Sequence, residues 1–487
     1  MSSFNFKSAT NLARLIRTKK ISSLEVVTAY LDQIKKYNKT LNALILVFER
    51  EALDLAIKAD EALLRNEIWG PLHGVPITVK ESIWTKGHPS NLNSKMYINF
   101  IAPDDAVVVQ KLKQSGAIII GKSNVPFMLQ DYQTFGEIYP ACKNPYNFQC
   151  SPGGSTGGGA AALAAGMSCI ELGSDFAGSI RIPAAFCGLV SLKPTDRTII
   201  TLRNSPEVMG TEQKGFVRHM AQIAPIARSV EDVELLWNII KGGDESDRTI
   251  PPIQWEEASK KKLKDYKIAW TNEWDTYKIS KSTNDAMNSF IEKISLQGCD
   301  VTKKIPEGTD HKKMLELFCY LFGYVIGQDV SISNIPQIKE NLRNGVFNKR
   351  DDLFNFISNA FEQNFRHYAQ TLSMKNDIVN CWEIFFKEYD FLICPVSYGA
   401  AFKSCKTGEN ISCEGESITY IDYCLPYVSI FSATGHPAMV IPIGFTDDDL
   451  PISIQIVGKY WSENELFQFV KQISKLINGF IPPKGYC

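Results

Sequence analysis

Hydrophobic positions along the chain alternate between two periods. Val26, Val27, Tyr30, Leu31 and Ile34 recur at spacings of three and four, which is one face of a helix, and Ser22-Ser23-Leu24-Glu25 just ahead of them forms a capping box. The helical period returns over 52–64, 105–114 and 463–477. Between these lie short apolar runs of strand length at 44–48, 75–80, 117–120, 391–394, 438–441 and 452–457. Pro71 and Gly74 punctuate the approach to the second run, which ends on Lys80. Helices alternating with short buried strands predict a single large α/β domain with a mixed, largely parallel sheet covered by helices.

Composition narrows the class. The chain has 487 residues, of which 44% are hydrophobic and 22% charged, so it can bury a substantial core and is not disordered as a whole. Lys plus Arg is 52 against 53 Asp plus Glu, a net charge of −1 that supplies no general pull toward phosphate backbones or anionic lipid. The N-terminal stretch has no apolar signal core, and no apolar run approaches the roughly 20 residues of a spanning helix. The expectation is a cytoplasmic protein with neither nucleic acid nor membrane as partner. The 12 cysteines contain no C-x-x-C pair and the six histidines no H-E-x-x-H group, so free thiols and no metal site are expected. Residues 116–123 fit G-x-x-x-x-G-K-S. A phosphate loop, however, needs its strand before the first glycine and a helix starting at the lysine, whereas here the apolar strand lies between the glycines and Pro126 follows.

The informative stretch is 150–195. Gly153-Gly154-Ser155-Thr156-Gly157-Gly158-Gly159 would serve as a flexible linker between polar flanks, but it runs directly into Ala160–Ala165, a strong helix former. It therefore feeds a buried helix, and glycine there permits close backbone approach. The same grammar repeats in Gly173-Ser174-Asp175-Phe176-Ala177-Gly178-Ser179, followed by a second helix start at Ile180-Arg181-Ile182-Pro183. Ser179 occupies a turn before a helix, a place that suits an N-cap and equally a nucleophile beside outward-pointing N–H groups.

These residues closely resemble the amidase signature family. Its pattern is a glycine-serine loop, a second serine in a G-G-S-I-R turn and an upstream lysine after a G-V-P strand, here Ser155, Ser179 and Lys80 at the end of Gly74-Val75-Pro76-Ile77-Thr78-Val79-Lys80. Further matches, from Gly121-Lys122-Ser123-Asn124 to Thr434-Gly435-His436-Pro437, cover most of the chain except roughly 245–390. The resemblance implies one amidase domain, with 60–240 as catalytic core, 245–390 as a variable helical insertion or cap and 391–487 as the C-terminal return to the sheet.

It also implies a Ser-Ser-Lys triad that hydrolyses a carboxamide C–N bond without cofactor. Ser179 would be acylated, Ser155 would bridge through a preceding cis peptide, and Lys80 would be the base, which requires its pKa to fall by roughly three units from about 10.4. The backbone N–H groups of Phe176, Ala177, Gly178 and Ser179 would form the oxyanion hole. Thr156, Asp175 and Arg181 would support the loops, and Met128, Leu129 and Tyr132 would line the substrate pocket. Aromatics such as Phe318, Phe322 and Phe354 suit either an acyl pocket or plain core. Three positions depart from the pattern: Thr156 for serine, Glu81 for aspartate and Ala177 for glycine. A left-handed backbone at Ala177 would strain its Cβ by about 1–2 kcal/mol. The partner expected is a small-molecule amide, with a homodimer compatible. Alternatives are acyl transfer to an amine, a non-catalytic relative, and a glutamine amidotransferase A-type subunit supplying ammonia to a partner. Met209-Gly210-Thr211-Glu212-Gln213 in place of that subunit's S-S-L-D-Q segment favours a stand-alone amidase.

Overall fold

The structure is a computed structural model that describes residues 4–204, 219–328 and 332–486. Its strands are β1 (Leu44–Val47), β2 (Pro76–Lys80), β3 (Ile118–Ser123), β4 (Ile170–Asp175), β5 (Val190–Lys193), β6 (Gln222–Ala227), β7 (Lys267–Trp270), β8 (Asp300–Lys303), β9 (Phe391–Pro395), β10 (Ile411–Cys413), β11 (Glu416–Ile418), β12 (Ala438–Phe445) and β13 (Pro451–Gly458). One 11-stranded sheet runs β1-β3-β2-β4-β6-β5-β12-β13-β9-β7-β8, and β10 and β11 form a separate hairpin. Helices flank the sheet, giving the single α/β domain that the alternating pattern predicts.

The sheet is mixed, but parallel pairing is confined to β3-β2-β4 and β9-β7-β8, and the other neighbouring strands run antiparallel. The expectation of a largely parallel sheet is corrected on that point. β2, β3, β4, β5, β6, β9 and β13 are buried along their whole length. A strand covered on both faces is a continuous apolar run whichever way its neighbour points, so the pattern carries no direction.

The stretch 245–390 also differs from a helical cap. Its first part contributes β7 and β8 to the sheet edge, joined through the helix Lys281–Leu296; only afterwards come the helices His311–Gly327, Asp351–Ala360 and Phe365–Glu388. β8 reads Asp-Val-Thr-Lys and is largely exposed, an edge strand without an apolar signature. The helix expected over 463–477 ends at Ile473 and gives way to a 3-10 turn, Ser474–Leu476. The first capping box forms as expected: Ser22 Oγ accepts the Glu25 N–H at 3.0 Å and the Glu25 carboxylate accepts the Ser22 N–H at 2.7 Å.

Two short helices matter for the site. Gly157–Ala164 is buried on every side and packs on β2, β3 and β4, which its glycine and alanine surface allows at close range. Arg181–Phe186 packs on β5, β12 and β13. The far end of the first is closed by Arg228, just after β6, whose Nη1 donates to Leu163 O at 2.8 Å and Ser168 O at 2.6 Å. Arg228→Met leaves Ser168 O without a donor, while Leu163 O keeps the Gly166 N–H, so it should lower unfolding free energy by roughly 1–3 kcal/mol. Urea unfolding measures this, and a loss below about 0.5 kcal/mol would show that the guanidinium does not hold the helix.

Candidate active site

Lys80 closes β2 and is wholly excluded from solvent. Its Nζ donates to Ser155 Oγ at 2.8 Å and Ser174 Oγ at 2.9 Å, and faces Ser174 O at 3.5 Å. Burial pulls its pKa down to about 7, against the opposing pull of Asp175, Glu171 and Glu81. That is the depression a lysine base requires, and it brings the neutral amine within reach at neutral pH.

Ser155, 1% exposed, stands in the loop that enters the helix Gly157–Ala164, and the Gly154–Ser155 peptide is cis. Gly154 is required by close approach: a Cβ there would lie 2.2 Å from Asp131 O. Thr134 Oγ1 donates to Gly153 O at 2.8 Å, and Ser151 Oγ accepts the Gly153 N–H at 3.0 Å, so the loop is tied on both sides. Thr156 joins the two serine segments. Its N–H donates to Ser179 O at 3.0 Å and its hydroxyl to Ser174 O at 3.3 Å. Threonine in place of serine thus keeps the hydroxyl contact.

The Ser179 turn is wound around Asp175. Asp175 Oδ1 accepts the Gly178 N–H at 2.9 Å, and Oδ2 accepts those of Ile180 at 3.2 Å and Arg181 at 3.3 Å. The Arg181 guanidinium meets the same carboxylate twice at 3.0 Å, then reaches Val428 O, Gln455 Oε1 and Ser432 Oγ. Both side chains are fully buried. Burial works against the Asp175 charge, but Arg181 and the backbone donors outweigh it and hold the carboxyl at about 2.

Ala177 is not among the left-handed residues; that conformation falls on Gly178, with φ 92°. The departure at Ala177 therefore brings no Cβ strain. Gly178 changes the expected oxyanion hole instead, because its N–H is committed to Asp175. Among the described residues the N–H groups of Phe176, Ala177 and Ser179 have no protein acceptor, and the Ser179 hydroxyl likewise makes no hydrogen bond.

Of the expected pocket residues, Tyr132 reaches the turn, donating its hydroxyl to Ala177 O at 2.9 Å. Met128 and Leu129 lie half-buried in the short turn Phe127–Leu129, both left-handed, and among the described residues no hydrogen bond joins them to either serine segment. Phe322 packs its ring 5.5 Å from that of Phe176, whereas Phe318 and Phe354 are core. A cleft of about 550 Å³ opens beside Gln133, Thr134 and Ser151, on the outer side of the loop, and contains neither Lys80 nor Ser179. Sequence reasoning does not single out Ser174; its one signal is its place beside Asp175 at the end of a buried strand. Lys122, the lysine of the false phosphate loop, is buried inside β3 and donates to Pro89 O at 2.7 Å.

This constellation on a mixed sheet defines a class. The Amidase family's model matches residues 25–467, so the chain belongs to that family, the amidase signature enzymes, and is an amide-cleaving enzyme. It is 30% identical over 489 residues to the A subunit of the glutamyl-tRNA(Gln) amidotransferase of Carboxydothermus hydrogenoformans, covering 95% of this chain and 96% of that protein. The counterpart of the same name from Alkaliphilus metalliredigens is 30% identical over 478 residues, 92% of each. Among solved structures, 6-aminohexanoate cyclic dimer hydrolase with its substrate gives a TM-score of 0.80 at 25% identity, covering 99% of both chains. Fatty acid amide hydrolase shares the fold, with a TM-score of 0.80 at 22% identity over 98% of this chain and 86% of that one. Among the described residues no helix is long and apolar enough to cross a membrane.

Arg181→Met leaves the Asp175 carboxylate buried without its cation and should destabilise the protein by about 3–5 kcal/mol at neutral pH. In the native protein the folded pKa lies below the ordinary 3.8, so the stabilisation is complete above about pH 4 and disappears as the pH falls toward about 2. In the variant the uncompensated carboxyl titrates above its unfolded value, and protonation relieves it. Urea midpoints of the two proteins should converge as the pH is lowered, and a gap independent of pH would refute this account.

Proposed function

We propose that the protein is a stand-alone amidase that hydrolyses a small-molecule carboxamide through an acyl-enzyme on Ser179, with Ser155 as bridge and Lys80 as base. The observation that carries the reading is the buried Lys80 Nζ at 2.8 Å from Ser155 Oγ, with an amine that titrates near neutrality. Ser179 Oγ attacks the amide carbon and passes its proton to Ser155 Oγ, whose own proton goes to neutral Lys80. The N–H groups of Phe176, Ala177 and Ser179, which have no protein acceptor among the described residues, receive the developing oxyanion. Collapse breaks the C–N bond as the proton returns through Ser155 to the leaving nitrogen. Water, deprotonated along the same route, then releases the carboxylate and restores Ser179. No step calls for a cofactor.

The 30% identity to amidotransferase A subunits supports a second reading, in which the same chemistry frees ammonia for a partner. Met209–Gln213, the segment that favours the stand-alone enzyme, lies outside the described residues. The cytoplasmic location and a homodimer belong to the first reading; acyl transfer to an amine is an alternative fate of the same acyl-enzyme. Turnover of simple amides by the purified chain alone supports the first reading; glutamine turnover that depends on an added partner supports the second.

Treatment with a serine-directed fluorophosphonate should add a single adduct by intact-protein mass, located on Ser179 and lost in Ser179→Ala. Its rate should climb with pH through about 7 as Lys80 loses its proton. Ser179→Ala should abolish turnover, and Lys80→Ala should reduce kcat/KM by about 10³-fold or more with the fold intact by circular dichroism. Near-wild-type rates in either variant would sink the mechanism.

A further inference from the structure

On the reading of Lys80 as the base, the groups that control its charge also control the chemistry. Glu171 is wholly buried on β4, in register with Thr78 of β2. Thr78 and Lys80 are two residues apart and so share a face of β2, and on that face Lys80 Nζ meets Ser155 Oγ in the loop that enters the helix Gly157–Ala164. Ser123 of β3 is in register with Lys80, and its Oγ donates to Glu171 Oε1. β2 lies between β3 and β4, so a bond joining those two strands passes over it. The Glu171 carboxyl is thereby placed above β2, beside the root of the Lys80 side chain.

The helix closes this place from the other side. A Cβ at Gly159 would stand 2.5 Å from Glu171 Cδ and 2.6 Å from its Oε1. Oε2 is buried with no hydrogen-bond partner among the described residues. A carboxylate in such a site depends on a nearby cation for its charge.

The other charges facing Lys80 already have partners. Asp175, at the end of β4, is paired with Arg181. Glu81, next after β2, accepts the N–H groups of Asn91 and Leu92 and faces Lys122 of β3. The covering helix, Gly-Gly-Gly-Ala-Ala-Ala-Leu-Ala, carries no titratable side chain. Glu171 is the carboxyl in this group whose counter-charge is Lys80 itself.

We propose that Glu171 is a positioning residue that sets the charge of Lys80: as carboxylate it retains the ammonium, and as carboxylic acid it leaves Lys80 the neutral amine that takes a proton from Ser155. The two states, ammonium with carboxylate and amine with carboxylic acid, hold the same number of protons and the same net charge. Burial disfavours both charges, pulling the Lys80 pKa down and pushing that of Glu171 up, so the two states lie closer in energy than they would in water. The acid limb of the serine's reactivity therefore belongs to the pair rather than to Lys80 alone.

The test is the pH dependence of fluorophosphonate labelling at Ser179 in wild type, Glu171→Gln and Ser123→Ala, read by intact mass. Glu171→Gln removes a charge that holds the ammonium, so the acid limb should move to lower pH by on the order of one unit while the high-pH rate is retained. Ser123→Ala removes a donor to the carboxylate and should move the limb the same way by less, which keeps the test open if the glutamine variant does not fold. A carboxyl that only fills space would slow labelling equally at every pH, and an unshifted limb in the variants overturns the proposal. Absence of any wild-type adduct on Ser179 would instead remove the functional reading, and this inference with it.

Discussion

The constraint on which the rest of the site depends is the burial of the Lys80 amine. An ammonium withdrawn from water is strongly disfavoured unless it finds charge or loses its proton. Here the surroundings offer hydroxyls, from Ser155 and Ser174, and place the nearest ion pairs so that their charges are largely spent on each other. The consequence is a lysine poised at neutrality. It also explains why the helix over β2 is built from glycine and alanine: any larger side chain in its first turns would force the helix away and admit water to the amine.

Asp175 and Arg181 solve a separate problem, the shape of the turn that presents Ser179. A carboxylate that gathers the N–H groups of Gly178, Ile180 and Arg181 pins three points of the backbone and leaves those of Phe176, Ala177 and Ser179 without a protein acceptor among the described residues. The guanidinium neutralises that carboxylate and anchors it to Val428, Ser432 and Gln455. Asp175 thus serves twice: with Arg181 it shapes the turn, and with Glu171 and Glu81 it pulls against the depression of the Lys80 pKa.

How much of this is legible in the sequence depends on whether a residue's role leaves a local trace. Lys80, Ser155 and Ser179 stand in or beside loops whose glycines are demanded by close contacts, and that demand is written as a motif. Ala177 looks like a flaw because the motif does not say which residue carries the left-handed backbone; the structure puts it on Gly178. Ser174 and Glu171 escape notice for the opposite reason. Each is one polar residue in a buried strand, and its partners lie on other strands or other segments, at distances no local spacing records. Strand direction is hidden by the same double burial, and β8 by having a single apolar residue, Val301, among four.

The Ser179 turn is also contacted by side chains from outside both serine segments. Tyr132 binds Ala177 O, and Phe322, from the helix His311–Gly327, packs on Phe176. Neither contact touches Lys80, Ser155 or the Asp175 carboxylate. Replacement of these side chains removes none of the hydrogen bonds that join Lys80 to Ser155 and Ser174. The segment that supplies Phe322 is also the one least marked by the family's motifs. On the proposed function, a lysine held by buried strands beside a surface supplied by a helix distant in sequence would let substrates be exchanged while the chemistry is kept.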